Sequence, residues 1–138
     1  MPRTLFCQLG PWAYRLSVWK EQSLRRGRDA LSEVRFAGEK DPRPLGVCVA
    51  KHSSLIRRRL GNVDMGLQEN KAVNLALSAP MVSGVLLHPG ETFSFWHLVG
   101  RPTAARGFRE GLTISAGKPD QGMGGGMCQF TNLIHWMV

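Results

Sequence analysis

Gly122-Met123-Gly124-Gly125-Gly126-Met127-Cys128-Gln129-Phe130-Thr131-Asn132-Leu133-Ile134-His135-Trp136-Met137-Val138 is the stretch on which the reading of this chain turns. Met127, Phe130, Leu133, Ile134, Met137 and Val138 recur at three- and four-residue spacing, which predicts a helix over 127–138 with one apolar face. The glycines before it fit neither common phosphate loop. GxxxxGK[ST] lacks its lysine, and a GxGxxG frame begun at Gly122 meets Met127 where the third glycine belongs, so nucleotide binding is disfavoured. Cys128 falls in the first helical turn, where backbone N–H groups and the positive end of the helix dipole favour thiolate over thiol. Glycines let backbone approach a substrate closely, and the amides around Gly126 and Met127 can hold a developing oxyanion. That is the logic of a cysteine nucleophile for acyl transfer. The same pattern equally describes a small buried cysteine after a glycine-rich turn.

Such a nucleophile needs a base, and His88, His97 and His135 are the candidates. His135 shares a helix face with Cys128 but lies seven residues on, roughly 10 Å at 1.5 Å rise per residue, too far for a direct pair. A zinc site from Cys128 and two histidines is disfavoured because no short-range ligand pair exists, and no metal or cofactor is predicted. The three cysteines, Cys7, Cys48 and Cys128, are an odd number without CxxC spacing, so no paired disulfide framework follows.

Working outward, residues 66–79 read as a helix of good formers with Asp64 as its N-cap, kinked or ended by Pro80 and stopped at Gly84. Val85-Leu86-Leu87, the turn His88-Pro89-Gly90 and Thr92-Phe93-Ser94-Phe95 predict a hairpin. Leu112–Ala116 is a further strand, closed by Gly117-Lys118-Pro119-Asp120. Residues 39–46 are a charged, proline-bearing loop, followed by the apolar run Val47–Ala50. In residues 11–26, Trp12, Leu16 and Trp19 share one face of an amphipathic helix, with Arg15, Lys20, Arg25 and Arg26 largely around the other side. That stripe is expected to dock on the domain's own core, with an anionic membrane surface as the alternative.

The chain has 138 residues, 43% apolar and 20% charged, room for one small domain and one core. Its net charge of +8 lies wholly in residues 1–63, with thirteen Lys and Arg against five acids, while residues 64–138 balance five against five. Arg57–Arg59 lack interleaved aromatics or a nucleic-acid module and are expected to be a solvated face, so nucleic acid is not an expected partner. No apolar run reaches the length of a membrane span and no secretory signal is recognised, which sets a cytoplasmic expectation, with membrane-surface association through the basic region.

Leu67-Gln68-Glu69-Asn70-Lys71 with Asn74-Leu75, Pro89-Gly90-Glu91-Thr92-Phe93-Ser94-Phe95-Trp96, and Gly124-Gly125-Gly126-Met127-Cys128-Gln129 with Asn132-Leu133 resemble the VanW family from about residue 60 onward. The resemblance implies a cell-wall-associated protein linked to glycopeptide (vancomycin) resistance. It further implies a cysteine-dependent L,D-transpeptidase site acting on peptidoglycan stem peptides or precursors, with Cys128 as nucleophile. Gly126 and Met127 would then stabilise the oxyanion, and Glu91, Ser94 and Gln129 would line the substrate. The alternative is a non-catalytic accessory or envelope-binding module. Family members continue into a downstream Glu-Arg-His-type segment, so the site is expected to be incomplete at the C-terminus and this chain inactive alone. The expected fold is α+β: a single small domain with several helices and short strands, divided into a basic helical region at 1–60 and a partial VanW-like domain at 61–138.

Overall fold

A computed structural model describes residues 6, 9–43, 46–57, 64–115 and 118–138, without the side chains of residues 115, 118 and 119. Cys7, Arg58 and Arg59 lie outside the described residues. The chain forms two compact units, Met1–Arg35 and Phe36–Val138.

In the first unit, helix α1 (Pro11–Leu31) starts with a proline at its first position, where a missing N–H costs nothing. It ends at Ser32, whose amide donates to the Arg28 carbonyl at 2.8 Å. The stripe expected to dock on a core faces solvent instead: Trp12, Leu16 and Trp19 are 64%, 48% and 62% exposed.

Strand β1 (Arg35–Phe36) spans the boundary, and the second unit continues through helix α2 (Met65–Val82), strand β2 (Glu91–Thr92), helix α3 (Phe95–Val99), a 3-10 turn (Ala104–Arg106), strands β3 (Glu110–Ser115) and β4 (Lys118–Met123), and helix α4 (Met127–Met137). Helices and short strands thus make the α+β architecture anticipated from sequence. Asp64 caps α2 by accepting from the Gly66 amide at 2.9 Å. The helix runs through Pro80 to end two residues later at Val82, and the proline withholds the N–H that would bond the Ala76 carbonyl. The core is Phe95, Val99, Phe108 and Met127, flanked by Leu77, Met81, Phe93 and Ile134, with Phe130 edge-on to Phe95 at 5.6 Å.

The hairpin expected around His88-Pro89-Gly90 does not form. The turn is present, with the Glu91 amide donating to the His88 carbonyl at 3.0 Å, but its flanks pair with an earlier segment. Ala37 donates to the Thr92 carbonyl, Leu86 to that of Glu39, and Asp41 to that of Gly84. Phe95 leaves the extended path altogether because Ser94 caps α3, accepting from the His97 amide at 3.3 Å. The hairpin instead joins β3 to β4, with Glu110 opposite Met123 and Ser115 opposite Lys118. The residues expected to close a strand, Lys118-Pro119-Asp120, are themselves strand, and β4 has one neighbour, a position that tolerates proline.

An exposed bidentate pair joins Arg57 to Glu69, Nε to Oε1 at 2.7 Å and Nη2 to Oε2 at 2.9 Å. The guanidinium hydrogen bonds hold the Glu69 carboxyl below the usual carboxylate range. Its stabilising contribution is therefore present above the unfolded-state pKa and lost as pH falls through the lower folded-state value. An NMR titration should place the Glu69 midpoint below that of an unfolded-chain glutamate, and Arg57→Gln should raise it. A midpoint unmoved by Arg57→Gln would break the pairing.

Candidate functional site

The face of α2 that is buried is polar. Gln68, Asn74 and Ser78 are fully buried and Lys71 nearly so, at spacings of three, three and four residues. Their partners differ: Lys71 Nζ donates to the Gln129 side chain, Ser78 Oγ donates to the Asn74 carbonyl of its own helix, and neither amide atom of Gln68 has a hydrogen-bond partner among the described residues. Asn74 bridges two backbone segments: its Nδ2 donates to the carbonyls of Arg109, just before β3, at 2.9 Å and of Gly125, in the glycine loop, at 3.0 Å, and its Oδ1 accepts from the Arg109 amide at 2.8 Å. One turn earlier, Asn70 Nδ2 donates to the Glu110 carbonyl at 2.8 Å.

Each glycine of the triplet makes a close approach to the chain itself. A Cβ on Gly124 would strike the Pro102 ring, one on Gly125 would overlap the backbone of Gly111, and one on Gly126 would overlap the Lys71 side chain. Gly124 and Gly126 also have positive φ, 75° and 94°. The glycines expected to let backbone approach a substrate make their close approaches to Pro102, Gly111 and Lys71.

Gly126 is the N-cap of α4, Met127 is buried in the core, and Cys128 stands in the first turn with its side chain exposed. The alternative of a small buried cysteine is thereby overturned. Gln129, next along, is held from three directions: its Oε1 accepts from Lys71 Nζ at 3.2 Å, and its Nε2 donates to Ser54 Oγ at 2.7 Å and the Leu55 carbonyl at 3.0 Å. This amide pins the irregular segment 51–57 across α2 and α4. Ser54 and Ile56 of that segment, with Leu75, Ala76, Phe130 and Leu133, line an apolar groove of about 300 Å³. At 100° per residue, Phe130 and Leu133 lie far round the helix from Cys128, so the groove and the thiol are on different faces.

The remaining positions singled out from sequence have local partners. Glu91 Oε2 accepts from the His88 amide at 3.0 Å across the turn, and Ser94 is the cap of α3. His88 Nε2 meets Glu39 Oε2 at 3.1 Å, His97 stacks on Phe36 with centroids 4.6 Å apart, and His135 is exposed on α4. Among the described residues no histidine hydrogen-bonds Cys128, and no three of His, Cys, Asp and Glu converge as metal ligands. Chemically, the arrangement presents an exposed thiol at a helix start that Lys71, Asn74 and Gln129 brace. The buried polar face of α2 was not read from sequence, although the three- and four-residue spacing of Gln68, Lys71, Asn74 and Ser78 was the available signal.

The profile of the family described as VanW like protein matches residues 70–138. The chain is 49% identical over 74 residues to the vancomycin B-type resistance protein VanW of Enterococcus faecalis, covering 54% of this chain and 27% of that protein. It is 33% identical over 66 residues to the uncharacterized protein YoaR of Bacillus subtilis, covering 48% of this chain and 22% of that protein. The chain thus spans about a quarter of the length of these curated relatives. No solved structure matches it. The matched half runs from the polar face of α2 through the glycine loop to the cysteine helix, and the chain belongs to the VanW family.

Proposed function

We propose that this chain carries the cysteine-bearing part of a cell-envelope protein of the glycopeptide-resistance type, acting on peptidoglycan peptides by acyl transfer through Cys128. The observation that carries this reading is the exposed Cys128 side chain in the first turn of an 11-residue helix whose start is braced on buried polar side chains. The resistance context is supported by the name of the Enterococcus faecalis relative. In the reaction, the Cys128 sulfur adds to a stem-peptide carbonyl carbon and the C–N bond breaks. The amine leaves with a proton, and the thioester passes its acyl group to a second amine or to water. Backbone amides at the helix start are suited to the oxyanion of that addition.

The test is acyl capture. Incubation with a labelled acyl-donor muropeptide should give a hydroxylamine-sensitive adduct that peptide mass spectrometry maps to Cys128, absent in Cys128→Ser and retained in Cys48→Ser. An adduct on Cys48, or none under conditions where the donor binds, would remove the catalytic reading.

A second reading, suited to an exposed Cys128 that no histidine among the described residues hydrogen-bonds, is an envelope-binding module without turnover. It predicts muropeptide affinity that Cys128→Ala leaves intact.

A further inference from the structure

We propose that α1 is an interfacial helix that lies along the surface of an anionic lipid bilayer. The helix is 21 residues long, about 30 Å at 1.5 Å rise per residue. At 100° per residue, Trp12, Leu16, Trp19 and Leu24 fall in one arc of roughly 140° that contains a single charge, Lys20. These four apolar residues are 47–64% exposed. Gly27 leaves a shallow hollow in the same face, bounded by Trp19, Leu24 and Leu31.

Charge is arranged around that arc. Arg15 and Arg26 flank one edge and Arg28 the other, while the helix's two acids, Glu21 and Asp29, lie outside it. Both acids are engaged by neighbouring bases, Glu21 by Lys20 at 3.2 Å and Asp29 by Arg25 at 3.2 Å. The rim of the apolar face is therefore cationic. A nucleic acid would satisfy the arginines but leave two tryptophans and two leucines in water, since phosphate contacts alone supply such binding. A bilayer interface takes both halves at once, the apolar arc at the acyl boundary and the guanidinium groups among anionic headgroups. The orientation is along the surface, because among the described residues no helix is long and apolar enough to cross a membrane. The inference is independent of any chemistry at Cys128.

The whole chain is tested by sedimentation with vesicles of phosphatidylglycerol and phosphatidylcholine, against phosphatidylcholine alone. Binding is expected only with the anionic vesicles, weakened by salt, and accompanied by a blue shift of tryptophan emission that W12S/W19S removes. The R15Q/R26Q/R28Q variant should lower the partition coefficient on the order of a hundredfold, about fivefold for each basic residue near an anionic surface. Circular dichroism of both variants checks that α1 still forms. Equal binding to both vesicle types or no binding would overturn the proposal. Binding that follows the arginines but ignores W12S/W19S, and is competed by duplex DNA, would reassign the helix to general polyanion attraction. Burial of Trp12 and Trp19 in a lipid-free dimer would assign the face to a second copy of the chain.

Discussion

Asn74→Ala is expected to lower the stability of the second unit by about 3–5 kcal/mol, a large share of the ~5–15 kcal/mol typical of a domain. The side chain is fully buried and makes three hydrogen bonds to backbone, two as donor and one as acceptor. Truncation leaves the Arg109 amide and the Gly125 carbonyl without this partner, while the Arg109 carbonyl keeps the Gly124 amide at 3.0 Å. Each buried orphan costs about 1–3 kcal/mol, and the two are close enough that their costs do not simply add. Asn74→Asp is the sharper arm. It keeps the acceptor for the Arg109 amide but turns a carboxylate oxygen toward two carbonyls, so it should cost at least as much as alanine despite its shape. Urea unfolding should show both variants with lower midpoints and unchanged slope. A loss below about 1 kcal/mol for alanine would mean that the loop is held by something other than this side chain.

Gly125→Ala should be worse than a normal overpacking substitution, with a loss of at least about 3 kcal/mol or failure to express as a folded protein. The added Cβ would overlap the Gly111 backbone, and relief requires moving β3 away from the loop that Asn74 ties to it. No flexible side chain can yield. Gly90→Ala is the control. Gly90 has φ of 80° but opens onto space, so alanine there incurs only the left-handed backbone penalty of about 1–2 kcal/mol. If both variants are equally mild, the close approach of Gly125 to Gly111 is wrong. The same pair separates structure from chemistry in the triplet. Were Gly125 present chiefly to admit a substrate, Gly125→Ala would fold with wild-type stability and lose only acyl capture at Cys128.

Much of this was legible in the linear chain. The apolar spacing from Met127 to Met137 set α4 and put Cys128 in its first turn, because helix periodicity and glycine conformational freedom are local properties. Asp64 marked the start of α2 for the same reason. The charge split was a matter of counting, and the arc of Trp12, Leu16 and Trp19 a matter of spacing.

Other features depend on partners distant in sequence. The flanks of His88–Gly90 have hairpin grammar, yet they pair with residues 37–41, since a strand edge accepts whichever backbone the tertiary arrangement supplies. Lys118-Pro119-Asp120 has turn grammar, yet it becomes strand opposite Thr113–Ser115. Sequence alone decided that a cysteine begins a helix after three glycines. Only the fold decided that Gln68, Lys71, Asn74 and Ser78 form a buried polar face beneath it, and for Asn74 the physical reason is three hydrogen bonds to the backbone of Arg109 and Gly125, which offset the desolvation that ordinarily keeps such a residue at the surface.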